Sequence, residues 1–326
     1  MTPITSEIVE LRDLALTEDE RSALSAVVAR LARTAPAVVD EAAWQARARL
    51  GGCHLPPRLL AAIRGFRYDA GVDGRLTITN LPIGAEALPP TPTVPESVER
   101  EATTPATVAM LIGLQLGEVI AYREEKHGAL VQNVVPVPSL ATSQSNGGSV
   151  QLEFHTENAF HPDRPHYVGL LCLRPAHEDR VGTQVASVRR AFPLLDEGSR
   201  TVLREARFVT VAPPSFRSAS ESEPHPVLLG NEEDPDLCVD FHATSALDDK
   251  ADQALAALRE ALTEVRCDLV LRPGDMVFLD NRLVVHGRVA FRPRYDGNDR
   301  WLHRVFVHLD NRRTRSRRAG NGAVLF

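Results

Sequence analysis

Leu271-Arg-Pro-Gly-Asp-Met-Val-Phe-Leu-Asp280-Asn-Arg-Leu-Val-Val-His286-Gly-Arg288 reads as strand, Pro-Gly turn, strand, polar turn, strand. Its apolar runs at 276–279 and 283–286 are too short for helices, and turn-forming residues bound each of them. The same grammar extends outward from residue 129. Candidate strands fall at 129–135, 150–154, 167–173, 183–188, 208–211, 227–229, 237–241, 269–271, 276–279, 283–286 and 301–309. Many short strands separated by Gly/Pro turns predict a sandwich or jelly roll. One helix interrupts them at 249–264, with Ala254, Leu255, Leu258, Leu262 and Val265 on one face.

The first third reads differently. Thr17 followed by Glu20 is a capping box, and Leu24, Val27, Val28, Leu31 and Ala32 then recur at helical spacing. Further helices are expected at 40–50, at 57–66 with Pro57 at its start, and at 106–116, with a strand at 74–80. The four prolines of 88–95 mark a loop and not a linker, because apolar pattern resumes on both sides. The expectation is one domain over 1–326, in which a mostly helical part (1–120) packs on a β core of about 121–310. The polar Pro/Ser-rich stretch 213–226 is a surface loop and, in an enzyme, a lid candidate.

Composition narrows the function classes. Apolar residues at 43%, charged residues at 25% and a net charge of −6 with scattered signs suggest neither a nucleic-acid stripe nor a membrane face. Arg312-Arg-Thr-Arg-Ser-Arg-Arg318 is the one basic run, and without interleaved aromatics it reads as a solvated tail. Cys53, Cys172, Cys238 and Cys267 are far apart, so neither a zinc ribbon nor a disulfide framework is indicated; Cys172, in an apolar run, reads as a buried thiol. With no secretory signal and no membrane-length apolar run, the chain reads as cytoplasmic. The sequence says nothing about oligomeric state.

Two imidazoles and one carboxylate, as in His155-Thr-Glu157 with a later His286, form the ligand set of a mononuclear non-haem iron(II) centre with three open positions. His-x-carboxylate is a common pattern, and with 11 His and 43 acidic residues about one or two arise by chance. The chain has His155/Glu157, His161/Asp163, His177/Asp179 and His308/Asp310. His161 and His177 sit in Pro-containing turns, and His308 has no histidine downstream. His155 follows the strand-like 150–154, where residues i and i+2 face the same side, and His286 ends a hairpin strand. Taken alone, either histidine also fits a hydrogen-bonded core role. A zinc hydrolase or deaminase could use His-x-Glu, but the Pro-Cys-x-x-Cys partner of the zinc deaminases is absent.

Several segments together resemble the clavaminate synthase-like family of iron(II)/2-oxoglutarate oxygenases, which hydroxylate free L-amino acids at unactivated carbons. They are Gly128-Ala-Leu-Val-Gln132-Asn-Val-Val-Pro-Val-Pro138, Phe154–Phe160, Arg164–Arg174, Pro273-Gly-Asp with Asp280-Asn281 and His286-Gly-Arg288, and Arg294–Arg304. The resemblance covers most of the chain and looks closest to the members that hydroxylate asparagine at its β-carbon, more distant to those acting on arginine and lysine. It implies a mainly β fold with flanking helices, a double-stranded β-helix (jelly roll, cupin-like). It also implies His155, Glu157 and His286 as iron ligands, with 2-oxoglutarate and O2 as cosubstrates. Arg300 matches the arginine that grips the distal carboxylate of 2-oxoglutarate, and Thr183 the hydroxyl that assists it. Arg304 matches the residue holding the substrate α-carboxylate, and Gln132 the amide that meets the substrate's backbone end. Glu125 and Asn146 match polar residues of the substrate pocket. Asp240 matches the acid that reads the substrate side chain; His242 stands where the arginine and lysine enzymes tend to place a second acid.

The expected activity is therefore hydroxylation of a free L-amino acid, asparagine first, in secondary-metabolite or peptide-antibiotic synthesis. Arginine, lysine, glutamine or citrulline remain alternatives, as does desaturation. A non-enzymatic jelly-roll binding module would need no Arg300/Thr183 pair.

Overall fold

A computed structural model describes residues 13–178, 181–216 and 221–326. Asp179, and 217–220 inside the expected loop 213–226, lie outside the described residues. No described helix is long and apolar enough to cross a membrane.

Two β layers form the centre. The larger sheet runs Asp13–Ala15, Arg75–Thr79, Met276–Asp280, Tyr167–Arg174, Trp301–His308, Glu118–Tyr122 and Val324–Leu325, with Val131–Val134 and Val98–Glu99 branching from Trp301–His308. The smaller sheet is antiparallel in the order Cys267–Leu269, Thr183–Ser187, Val284–Arg288, Leu152–His155. Alternation along the strands decides what each face buries. From Tyr167–Arg174 and Trp301–His308, Val168, Leu170, Cys172, Leu302 and Phe306 join Val185 and Val284 of the smaller sheet in one apolar cluster between the layers. Tyr167, Leu171, Leu173, Trp301, Val305 and Val307 belong to a second cluster that includes the helices.

The helix Thr104–Leu116 explains how the helical first third attaches. Its consecutive residues Val108 to Ile112 are all buried, so it is covered on every side. It packs on Trp301–His308 and Tyr167–Arg174 below, and on Glu18–Ala32, Ala42–Gly51 and Pro57–Tyr68 above. The Thr17 capping box forms: Thr17 Oγ1 accepts from Glu20 N at 3.2 Å and Glu20 Oε2 from Thr17 N at 2.9 Å.

Some expectations need correcting. Glu118–Tyr122 is a strand that the helical reading ending at 116 passed over, because a lone Gly117 separates the two elements. Val188–Ala191 and Glu197–Leu203 are helices of four and seven residues, capped by Ser187 and Asp196 and too short to leave a helical period. In place of a strand over 237–241, Pro235–Leu237 pairs with Leu228–Gly230, and the following residues bond irregularly to 154–156.

The basic run is solvated at Arg312, Arg313, Arg315 and Arg317, but Arg318 anchors it to the fold. Arg318 is buried and donates to the carbonyls of Asn311, Asn321 and Gly322 and to Thr314 Oγ1. Arg317 pairs with Asp163, and Val324–Leu325 lies parallel to Glu118–Tyr122. An arginine fork can satisfy several converging carbonyls, which composition alone does not reveal.

Candidate active site

His155 and His286 are direct partners across the Leu152–His155/Val284–Arg288 ladder, so both rings project from one face with centroids 4.3 Å apart. Glu157 is not on the strand, which ends at His155. Other bonds aim it. Thr156 N and Oγ1 both donate to Val239 O, at 2.7 and 3.1 Å. Glu157 N donates to Asn281 Oδ1 at 2.7 Å, and Asn281 Nδ2 donates to Glu157 O at 3.0 Å and to Pro165 O at 2.9 Å. The result is a convergent set: one donor atom each from His155, Glu157 and His286 lies within 4.8 Å of the others.

Electrostatics prepare these donors for a metal. His155 Nδ1 lies 2.9 Å from the Glu153 carbonyl, so it carries the proton and leaves Nε2 as a lone-pair donor. Burial lowers His286 below the usual imidazole range, which keeps it neutral. Burial alone would push the Glu157 carboxyl up, but the Arg304 guanidinium and His286 hold it well below the usual carboxylate range. Two imidazoles and an ionised carboxylate, all facing one cavity, fit iron(II) with positions left open.

The cavity is about 660 Å³ and holds three buried arginines in two different situations. Arg304 is saturated with acceptors. Its Nη1 donates to Glu157 Oε1 at 2.9 Å, its Nη2 to Glu125 Oε1, and its Nε to Gln132 Oε1 at 3.1 Å. Arg300 donates to the Thr183 hydroxyl at 3.3 Å and has no carboxylate partner among the described residues. Burial pulls its pKa down to about 10. Arg288 donates to Val150 O at 3.1 Å and covers the Phe291 ring at 5.0 Å. Burial, reinforced by Arg300, pulls it down to about 9. Two buried cations without counter-charge define a site for an anion.

Of the residues expected from sequence, His155, Glu157, His286, Arg300, Thr183, Arg304, Glu125, Asn146, Asp240 and His242 all line this cavity. Gln132 does not; it is buried behind Arg304 and meets the cavity only through that guanidinium. Asp240 Oδ1 accepts from His242 N at 2.9 Å and Ala243 N at 3.2 Å, which fixes the carboxylate direction, and His242 is exposed at the rim. Pro213 to Phe216 also line the cavity, with Phe216 packed on Phe160 at 4.8 Å.

The competing histidines have other work. His161 packs edge-on to Tyr122, centroids 4.8 Å apart, and its Nδ1 accepts from Asp163 N. His177 sits 3.2 Å from Asp299 Oδ1, and together with Asp296 these groups also lie close enough for a metal. The Asp299 carboxylate, however, already accepts from Arg294 N and Tyr295 N, which shapes the loop leading into Arg300. Sequence reasoning missed the roles of Asn281 and Arg288. Their only signals were a buried-turn asparagine and an arginine two residues beyond His286, on the same strand face.

Fold, donor set and anion pocket define an iron(II)/2-oxoglutarate-dependent dioxygenase, and comparison with known proteins agrees. Residues 101–306 match the taurine catabolism dioxygenase TauD, TfdA family. The chain belongs to that family. It is 43% identical over 314 residues to an L-asparagine oxygenase of Streptomyces coelicolor, covering 96% of this chain and 94% of that protein. It is 37% identical over 262 residues to clavaminate synthase 2 of Streptomyces clavuligerus, covering 78% and 80%. A crystal structure of asparagine oxygenase in complex with Fe(II), 2S,3S-3-hydroxyasparagine and succinate superposes with a TM-score of 0.94 at 43% identity, covering 96% of this chain and 99% of that one.

Proposed function

We propose that the chain hydroxylates free L-asparagine at its β-carbon, with iron(II) held by His155, Glu157 and His286. The observation that carries this reading is the pairing, in one cavity, of a converging two-histidine, one-carboxylate set with a buried Arg300 that has only a hydroxyl for company. The similarity to asparagine oxygenase supports the choice of substrate.

When bound, iron(II) supplies open positions for 2-oxoglutarate and O2, whose reaction yields succinate, carbon dioxide and the oxidising power to hydroxylate an unactivated carbon. The residues of the chain position and shelter the reactants. The Arg300 fork with Thr183 matches the distal carboxylate of 2-oxoglutarate. Arg304, Glu125 and Asn146 receive the α-amino-acid end of the substrate, with Gln132 orienting the Arg304 guanidinium from behind. Arg304 Nη1 pairs with Glu157 Oε1 at 2.9 Å. With the Glu157 carboxylate engaged as a metal ligand, Arg304 would have donors free for the substrate carboxylate. Asp240, with Oδ1 fixed by two backbone N–H groups, keeps acceptor capacity for the side-chain amide NH2. His242 places no second negative charge there, which favours a neutral amide over a guanidinium or ammonium. Pro213–Phe216, which line the cavity, act as a lid that excludes water.

The chain is read as one oxygenase domain, its helical part fixed to the jelly roll through Thr104–Leu116. The setting is peptide-antibiotic or other secondary-metabolite synthesis in the cytoplasm, in keeping with four cysteines that are all free. The test is to screen the common amino acids, citrulline and ornithine for substrate-triggered succinate release, with mass spectrometry of the product. A product one oxygen heavier than asparagine is expected. Turnover of arginine or lysine alone would overturn the substrate reading.

A further inference from the structure

The Val284–Arg288 strand presents His286 and Arg288 from the same inward face, because their spacing is one strand repeat. That repeat separates the two side chains by roughly 7 Å, comparable with the span of a five-carbon diacid. Across the neighbouring ladder, Arg288 is the direct partner of Thr183, and Thr183 is the hydroxyl that receives Arg300. Arg288 and Arg300 thus flank one hydroxyl at the end of the cavity. Both are buried, both line the cavity, and neither has a carboxylate partner among the described residues. The Arg288 hydrogen bond to Val150 O and its position over Phe291 orient the guanidinium without neutralising it. One carboxylate at Arg300 would leave a second buried cation close by and poorly compensated. The economical solution is that both act on the same anion.

We propose that Arg288 is a second binding residue for the distal carboxylate of 2-oxoglutarate, acting with Arg300 and Thr183. This rests on the reading of the cavity as an iron(II)/2-oxoglutarate site. The metal-side carboxylate of the cosubstrate lies toward His286, and the distal one is received at the Arg288/Thr183/Arg300 end.

The test compares wild type, Arg288→Gln and Arg300→Gln by the KM for 2-oxoglutarate, by calorimetric binding of succinate to metal-free protein, and by competitive inhibition with 2-oxopentanoate, which lacks the distal carboxylate. For Arg288→Gln the expected result is about a tenfold higher KM for 2-oxoglutarate and about tenfold weaker succinate binding, as for loss of a charge-assisted bond. The KM for the amino acid and the 2-oxopentanoate inhibition constant should stay within about twofold. A KM for 2-oxoglutarate within twofold of wild type, or equal weakening of 2-oxopentanoate, overturns the proposal. If Arg288→Gln fails to fold, Arg288→Lys retains a charge and a donor for Val150. It is then expected to raise the KM for 2-oxoglutarate several-fold, and a value within twofold of wild type overturns the proposal. Arg300→Gln separates the two failures. If it too binds succinate like wild type, the cosubstrate reading falls; if it loses succinate while Arg288→Gln does not, only the role of Arg288 falls.

Discussion

Replacing Arg300 by Met should make the ligand-free protein more stable while removing its capacity to be stabilised by 2-oxoglutarate. Arg300 is a buried cation whose partner is one hydroxyl, and burial moves its pKa from 12.5 to about 10. For a base, a folded-state value below the unfolded one means that the folded state disfavours the bound proton. The penalty is full below about pH 10 and fades only as pH rises toward 12.5. At about 1.4 kcal/mol per pK unit, that is about 3 kcal/mol against the folded state at neutral pH. Met keeps much of the aliphatic volume but loses the bond to Thr183, worth about 1 kcal/mol. The net expectation is about 1–3 kcal/mol of added stability in metal-free, cosubstrate-free protein, or a few degrees in midpoint for a chain of this size. Urea titration and calorimetry in chelator read this directly. With a redox-inert divalent metal and 2-oxoglutarate at about a hundred times its Kd, wild type should gain about 2.7 kcal/mol and the variant almost none. The two stability orders should therefore cross. A ligand-free variant less stable than wild type, or one still stabilised by 2-oxoglutarate, would show that Arg300 is already compensated.

His155→Ala should abolish iron-dependent succinate formation, whereas His161→Ala and His177→Ala should leave it largely intact; full activity in His155→Ala would sink the ligand assignment. Asn281→Ala, which frees the backbone of Glu157 and leaves Pro165 O without its donor, should weaken metal binding by about 10–100-fold. Metal titration of refolded variant measures this, and Asn281→Asp, which keeps only the acceptor, should recover part of it. Acid should destabilise the protein through its buried histidines. Burial pulls His303 to about 3 and, helped by His308, His166 to about 3, against 6.5 when unfolded. Each contribution is full above pH 6.5 and is lost as pH falls toward 3, at up to about 1.4 kcal/mol per pH unit per group. Urea midpoints at pH 7.5 and 5.0 should converge in His303→Leu relative to wild type.

The jelly-roll layers were legible because short apolar runs with turn residues leave a local mark, as at 271–288. The strand Glu118–Tyr122 was not, because it follows a wholly apolar helix with a single glycine between them. His155 and His286 could be picked out from strand context, but that they are direct partners across one ladder could not be read from it. Glu157 was chosen for the wrong geometric reason: the strand stops before it, and hydrogen bonds from segments about 80 and 124 residues away hold it. Such long-range bonds leave no periodic trace. Arg318 fails in the same way, since its charge suggested solvent while its geometry suits a cluster of carbonyls.

Arg304 lies within Trp301–His308, a strand bonded to three others in the larger sheet, whereas Asp240, His242 and Asn146 stand outside every regular strand. The end of the cavity common to all α-amino acids is thus built into a strand held by three ladders, and the end that distinguishes one side chain from another is built from loops. Variation at the loop end can proceed without disturbing the sheet that the fold depends on. A lineage, or a directed-evolution campaign, can therefore exchange one amino-acid substrate for another at little risk to foldability, and libraries confined to 143–146 and 240–245 are the place to begin.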